Sequence, residues 1–269
     1  MSLRDSAGNQ RQLEVAAKIR EMKHLTDLTL ANGASDLFDL VRKEQTDEHL
    51  RRARIVERGD ELMILKLPAF DYRTPLEVAE MIGKARKHKA LIVDLRGNGG
   101  GSVETLRHFV DGMFDRDVKI GDRVGRKENK PEMAKASHNP FLGKLIVLVD
   151  SESASAAELF ARVMQIEKRG LVLGDRTSGS VMEARHYDEQ WGTDTVVFYG
   201  VSVTDADVIM SDGKSLEHTG VTPDELLLPS PAALANNRDP VLARAAELAG
   251  VNLSSDEAGK LFPYEWPPE

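Results

Sequence analysis

Lys144-Leu145-Ile146-Val147-Leu148-Val149-Asp150-Ser151-Glu152-Ser153-Ala154-Ser155-Ala156-Ala157-Glu158-Leu159-Phe160 reads as a buried strand, a turn of small residues and the first turns of a helix. The aliphatic run is of strand length, and beyond the turn Leu159, Phe160, Val163 and Met164 recur at helical spacing until Gly170 ends the pattern. The same strand-turn-helix unit occurs upstream, where residues 90–96 form a strand, Asn98-Gly99-Gly100-Gly101 a glycine turn and residues 103–114 a helix. Residues 62–67 make a further strand. Thr74-Pro75-Leu76-Glu77 opens a helix with proline in its first turn and Leu76, Ala79, Met81, Ile82 and Ala85 on its expected buried face. Downstream, residues 171–174 and 195–203 are strands, Asp212-Gly213 is a turn, and Asp239-Pro240-Val241-Leu242 begins another helix. This alternation predicts an α/β layered domain whose sites lie at the carboxyl ends of its strands, where both the serine turn and the glycine turn fall.

The bulk composition narrows the function. The 269 residues suit one large domain or two small ones. Lys and Arg number 36 against 44 Asp and Glu, a formal charge of -8 with no dense basic run, which disfavours nucleic acid as a partner. The absence of cysteine removes disulfides, thiolate metal sites and a cysteine nucleophile. The aliphatic runs are too short for a membrane helix, and the histidines and acids show no metal-ligand spacing. The amino terminus has no basic-then-apolar leader and opens on a turn at Ala7-Gly8-Asn9 between two strand-like pieces, so the chain is expected to be a fragment of a longer protein. Residues 10–60 are charged and mixed, with helical spacing at 34–41 and around Glu48-His49-Leu50.

Ser155 stands where a buried strand yields to a helix, flanked by small residues that let a substrate carbonyl approach the backbone. The helix terminus adds open N–H groups and partial positive charge, which favour an oxyanion beside the serine. The same Ser155-Ala156-Ala157-Glu158 is also a capping box, in which the serine merely completes the helix and Glu158 is the capping acid. The glycine turn is equally ambiguous between a tight turn and a phosphate cradle, although Gly101-Ser102-Val103 lacks the lysine of a nucleotide loop. Arg96 and Arg176 suit pairing with Asp94 and Asp175 better than capture of a substrate carboxylate.

Taken together, residues 94–101, residues 149–160, Gly174-Asp175-Arg176-Thr177-Ser178-Gly179 and Glu217-His218-Thr219-Gly220-Val221-Thr222-Pro223-Asp224 resemble the tail-specific, or C-terminal processing, serine peptidases over most of the chain. The resemblance implies a crotonase- or Clp-protease-like core. It implies Ser155 as nucleophile and the N–H groups of Gly100 and Ala156 as oxyanion donors. It further implies a polypeptide substrate, unfolded or presented as a chain terminus, no cofactor, and a location outside the cytoplasm. On this reading residues 1–18 are the end of a PDZ domain, 19–60 a linker, 61–245 the peptidase core and 246–269 a tail.

The position 25 residues past the serine, where the usual members carry lysine, is Ser180. A serine hydroxyl needs an adjacent base. The chain therefore resembles a second, tricorn-like branch with Ser, His and Glu, in which Glu217 takes the acid's place and the histidine comes from sequence ahead of this segment. His186 is the one candidate base within the chain; His24, His49, His88, His108, His138 and His218 read as solvated surface residues. A peptidase-like binding module that has lost its base, and a crotonase-type acyl-thioester enzyme, are the alternatives.

Overall fold

The computed structural model describes residues 2–4, 10–12, 53–71, 74–126, 128–191 and 197–263. The chain divides into two units, residues 1–48 and 49–269. In the first, β1 (Ser2–Arg4) and β2 (Gln10–Gln12) pair antiparallel as a short hairpin. The helical spacing expected at 34–41 and 48–50 lies outside the described residues.

The second unit runs β3 (Arg54–Arg58), β4 (Leu62–Lys66), α1 (Pro75–Ala85), β5 (Ala90–Asp94), α2 (Val103–Asp111), β6 (Val118–Gly125), β7 (Asn129–Ala134), β8 (Lys144–Val149), α3 (Ala156–Ile166), β9 (Leu171–Gly174), β10 (Glu183–Trp191), β11 (Val197–Met210), β12 (Glu225–Leu226), α4 (Pro231–Ala235), α5 (Pro240–Leu248) and α6 (Ser255–Leu261). Six of these strands form one sheet in the order β12-β9-β8-β5-β4-β3. All its pairs are parallel except the edge pair β3-β4. Both faces are covered, which is why the strands are unbroken apolar runs. Along β8, Leu145, Val147 and Val149 face a core shared with α1, α2 and α3, while Ile146 and Leu148 face a second core beneath α5 and α6. A four-stranded antiparallel sheet, β10-β11-β6-β7, adds Ile120, Ala134, Val208 and Met210 to the first core. No helix among the described residues is long and apolar enough to cross a membrane.

The local signals behave as their chemistry predicts, with some shifts. At the start of α1 the Thr74 hydroxyl accepts from Glu77 N at 3.2 Å, and Glu77 Oε2 accepts from Thr74 N at 2.7 Å, a reciprocal cap that fixes the helix entry. The buried face of α1 is Val78, Met81, Ile82 and Ala85, not the face that includes Leu76 and Ala79. At about 100° per residue, Leu76 falls opposite the centre of that arc and is 67% exposed, and Ala79 flanks it. Two stretches expected to lie outside the core contribute to it. β3, within residues 19–60, extends the sheet beside β4, and Leu253 and Ala258, within residues 246–269, are buried under it. β11 runs on to Met210 because residues 206–210 find a second partner in β6.

The two cores meet the functional end of the sheet through a buried ionic network. Lys66, Asp94 and Arg96, at the carboxyl ends of β4 and β5, turn toward the α5 layer. Asp94 is fully buried and accepts from Arg96 Nε at 2.9 Å, an Arg96 Nη at 2.7 Å and Lys66 Nζ at 3.2 Å. Arg96 also grips both oxygens of Asp239, at 3.0 and 2.7 Å, and Asp239 Oδ1 caps α5 by accepting from Leu242 N at 2.9 Å. Burial pushes the Asp94 carboxyl up, but Arg96 and Lys66 outweigh it and hold the group well below the usual carboxylate range. Burial lowers Lys66 by more than Asp94 restores.

Breaking a buried ion pair from one side leaves the other charges unpaired, so Asp94→Asn is expected to lower unfolding free energy by about 3–5 kcal/mol in denaturant titration. The depressed folded value means that Asp94 stabilises the protein above the ordinary aspartate value of about 4 and loses that effect as pH falls toward its folded value. The loss of stability below about pH 4 is therefore expected to be shallower in Asp94→Asn than in the wild type.

Candidate active site

Three loops converge at the carboxyl ends of β5, β8 and β9. The first is the glycine turn after β5, the second the turn from β8 into α3, and the third residues 175–182 after β9. Asp150 begins the second loop by accepting the N–H groups of Gly97, Glu152 and Ser153, and Ser153 Oγ donates to Leu95 O at 2.9 Å. Ala154 N donates to Asn98 O at 2.9 Å and Ser178 N to Ser153 O at 3.0 Å. Ser155 N donates to Ser180 O at 2.9 Å. The serine turn is thereby stitched to both neighbours by main-chain hydrogen bonds.

Ser155 occupies φ 53°, ψ -121°. A positive φ away from the left-handed helical well is a strained conformation for a residue with a Cβ, and it persists only where the surroundings over-determine it. It presents the side chain at a sharp strand-to-helix bend. By proximity the reciprocal capping box is present, but the helix gives the Ser155 hydroxyl no hydrogen bond of proper geometry. Glu158 N donates instead to the Ser155 carbonyl, at 2.9 Å. Among the described residues the Ser155 hydroxyl makes no hydrogen bond. Ala156 N–H, the first donor of α3, likewise meets no acceptor there.

Glu158 does more than cap. Fully buried, it accepts from Ser155 N (3.0 Å) and Ser180 N (3.0 Å) on Oε2, and from Thr177 Oγ1 (2.6 Å) and Gly179 N (2.8 Å) on Oε1. Thr177 Oγ1 in turn accepts from Val221 N at 2.6 Å. One carboxylate at the positive end of a helix therefore binds the serine bend to the third loop. The capping motif disclosed the first of these contacts; the other three join residues about twenty apart and carry no local signal.

The glycine turn packs directly on the serine. A Cβ on Gly100 would lie 2.5 Å from Ser155 Cβ, at φ +100°, so only glycine fits. The Gly100 N–H, expected to be open to an oxyanion, is instead donated to Asn98 Oδ1 at 2.8 Å. An asparagine two residues before a glycine closes an Asx turn on it, which is the signal in the sequence that pointed here. Asn98 is fully buried, and its Nδ2 donates to Leu67 O at 2.8 Å.

Glu217 lies beside the third loop, where Oε2 accepts from Val181 N at 2.9 Å and Met182 N at 3.2 Å. Its Oε1 is 4.0 Å from Nε2 of His218, a side chain 90% exposed. His186 sits in β10 opposite Ser202, and its side chain lies outside what the structure describes. Of the histidines read as surface residues, His24 and His49 fall outside the described residues, and His138 is exposed. His88 is instead buried, with Nδ1 3.1 Å from Lys84 O, and His108 is largely covered on α2. His88 lies in the bend that follows α1, and His108 on α2, and each is covered where its segment packs on the domain. Arg96 pairs with Asp94 as expected; Arg176 meets Asp175 only through its backbone N–H, at 2.7 Å. Among the described residues no cluster of three or more His, Cys, Asp or Glu could hold a metal ion.

The family model described as Peptidase family S41 matches residues 61–227, which contain all three loops. The chain belongs to Peptidase family S41. This is a family of serine-type peptidases, which are hydrolases. The chain is 32% identical over 163 residues to the tail-specific protease of Haemophilus influenzae, covering 57% of this chain and 23% of that protein. It is 29% identical over 188 residues to the putative tricorn protease homolog 2 of Streptomyces coelicolor, covering 67% of this chain and 14% of that protein. Relatives of both branches thus match at similar identity. A crystal structure of a putative peptidase from Parabacteroides merdae superposes with a TM-score of 0.60 at 21% identity, over 77% of this chain and 69% of that one, and shares the fold.

Two substitutions probe how the S41 loops are held. Glu158→Gln turns an amide NH2 toward donors and is expected to cost at least about 2 kcal/mol in unfolding free energy, read by denaturant titration. Gly100→Ala forces a methyl group onto Ser155 at a backbone angle that disfavours it, and is expected to lower the melting temperature by several degrees for a loss of about 1–2 kcal/mol.

Proposed function

We propose that this chain is the catalytic core of a serine endopeptidase of the C-terminal processing kind, with Ser155 as nucleophile. The observation that carries the proposal is the strained Ser155 bend, whose hydroxyl is held out from a helix terminus without serving as its cap. Ser155 Oγ attacks the scissile carbonyl carbon while its proton passes to a base. The carbonyl oxygen becomes an oxyanion beside Ala156 N–H and the glycine turn. Collapse breaks the C–N bond, the amine leaves with the proton, and water then hydrolyses the Ser155 ester by the same route in reverse. The base is an imidazole from outside the described residues. Glu217, fixed on Oε2 by two N–H groups, has Oε1 left to orient that imidazole as in the tricorn-like branch. The substrate is an extended polypeptide or chain terminus. The hairpin at residues 2–12 belongs, on the same proposal, to a substrate-binding PDZ domain, and the protein acts outside the cytoplasm.

A second reading, a peptide-binding module without hydrolytic activity, is favoured by Ser180 in the lysine position and by the lack of a described base at Ser155. A fluorophosphonate forms an Oγ–P bond and expels fluoride, so it reports the reactive serine directly. The full-length protein is expected to label, and Ser155→Ala to abolish labelling with the fold intact by circular dichroism. A wild-type protein that stays unlabelled while an active relative reacts supports the binding module. Glu217→Gln is expected to slow labelling by about 10-fold or more, with a shifted pH profile.

A further inference from the structure

β10 forms an edge of the antiparallel sheet β10-β11-β6-β7. It pairs with β11 along its whole length, but β6 meets β11 only at Ala206–Met210. The rest of the pair therefore continues past β6 as a two-stranded ribbon, and no described strand lies on the outer side of β10. Such a ribbon is marginal in water by itself, and an open edge is a template for another strand. The register puts Arg185 opposite Val203, Tyr187 opposite Val201 and Glu189 opposite Tyr199, all on one face. On that face Tyr187, Val201 and Val203 are 49%, 57% and 47% exposed.

The middle of this edge reads Arg185-His186-Tyr187-Asp188-Glu189, two basic residues, a tyrosine and two acidic residues. Charges on an edge strand commonly repel a second strand. Here their order decides which strand is repelled. A parallel copy in register would set like charge against like. An antiparallel copy centred on Tyr187 sets Arg185 opposite Glu189 and His186 opposite Asp188, and two-fold symmetry repeats each pair. A slip of one residue either way halves the number of unlike charges opposed. Within the chain these groups are available. The Arg185 side chain is 62% exposed and among the described residues pairs only with Asp205, at 3.4 Å, while Glu189 is exposed with no described ion-pair partner. Each exposed charge pair is worth little alone. The main-chain ladder supplies the contact, and the charges select its direction and register.

We propose that the outer edge of β10 is a self-recognition surface. On it a second copy of this chain adds its own β10, antiparallel about a two-fold axis at Tyr187, and the two four-stranded sheets become one. The exposed faces around Tyr187, Val201 and Val203 then form one continuous surface across the axis. The proposal stands whether or not Ser155 is a nucleophile.

Sedimentation equilibrium over a concentration series tests it. The wild-type protein is expected to dimerise, and Arg185→Glu and Glu189→Arg each to weaken the dimer by about 10-fold or more, because each turns two attractive pairs repulsive. Mixing the two variants in equal amounts is expected to restore a dimer near the wild-type level, since every charge then meets its opposite; a variant weakened only by misfolding would not be rescued. The chain has no cysteine, so Tyr187→Cys gives each copy one thiol at the axis, and it is expected to form a disulfide-linked dimer when the protein is treated with diamide. Arg185→Cys is expected to stay unlinked, because the antiparallel register holds its two copies at least about 14 Å apart. A wild type that is monomeric throughout, a dimer indifferent to both reversals, a mixture without rescue, or linkage through position 185 as fast as through 187 overturns the proposal.

Discussion

The Glu158 carboxylate is the interaction on which the site depends. It is sealed from water with no cation bonded to it among the described residues, a placement that costs several kcal/mol unless every lone pair is used. Here each oxygen accepts two donors, from Ser155, Ser180, Thr177 and Gly179, and the charge sits at the amino terminus of α3. Because those donors come from two separate loops, meeting the electrostatic demand of one acid forces the loops into register. The Ser155 N–H is shared between Glu158 Oε2 and Ser180 O, and the Ser155 carbonyl accepts from Glu158 N and Leu159 N, so the main chain of the bend is held on both sides and keeps an unfavourable φ.

The glycine turn is anchored by a different device. Asp94 and Arg96 face away from the serine, toward α5, and through Asp239 they fasten the C-terminal helices to the strand that leads into the turn. Asn98 and Gly100 face the serine. A short segment therefore links an ionic network on one side of the sheet to a close-packed contact on the other. Rigidity follows from the same contacts: neither Asn98 nor Gly100 can move without orphaning a buried polar atom or parting from Ser155.

The strand-turn-helix units were legible because their information is local. The β8 run, the small-residue turn and the α3 periodicity each lie within one window of sequence, and the two turns fell at strand ends as the alternation requires. The α1 face was misjudged at Leu76 because apolar character in a first turn does not reveal which arc meets the sheet. β3 was hidden in a charged stretch whose pairing partner follows a tight turn. At the site, Ser155 and its glycine neighbour were visible, while the clamp by Glu158 and the Val221–Thr177 contact depend on residues that only the fold brings together. Asn98 carried a signal in its spacing to Gly100, and that signal concerned the turn itself, not an incoming oxygen.

What emerges is a serine turn whose strain, packing and neighbouring donors are set by the chain, and whose hydroxyl makes no hydrogen bond among the described residues. The account's central claim is that Ser155 forms a covalent acyl intermediate. Intact-mass spectrometry of the full-length protein after incubation with a β-lactone, followed by peptide mapping, tests it most directly. The account predicts one adduct of the lactone's mass, located on Ser155. An unmodified protein, or an adduct distributed over other hydroxyl and amino groups with Ser155 untouched, would contradict it.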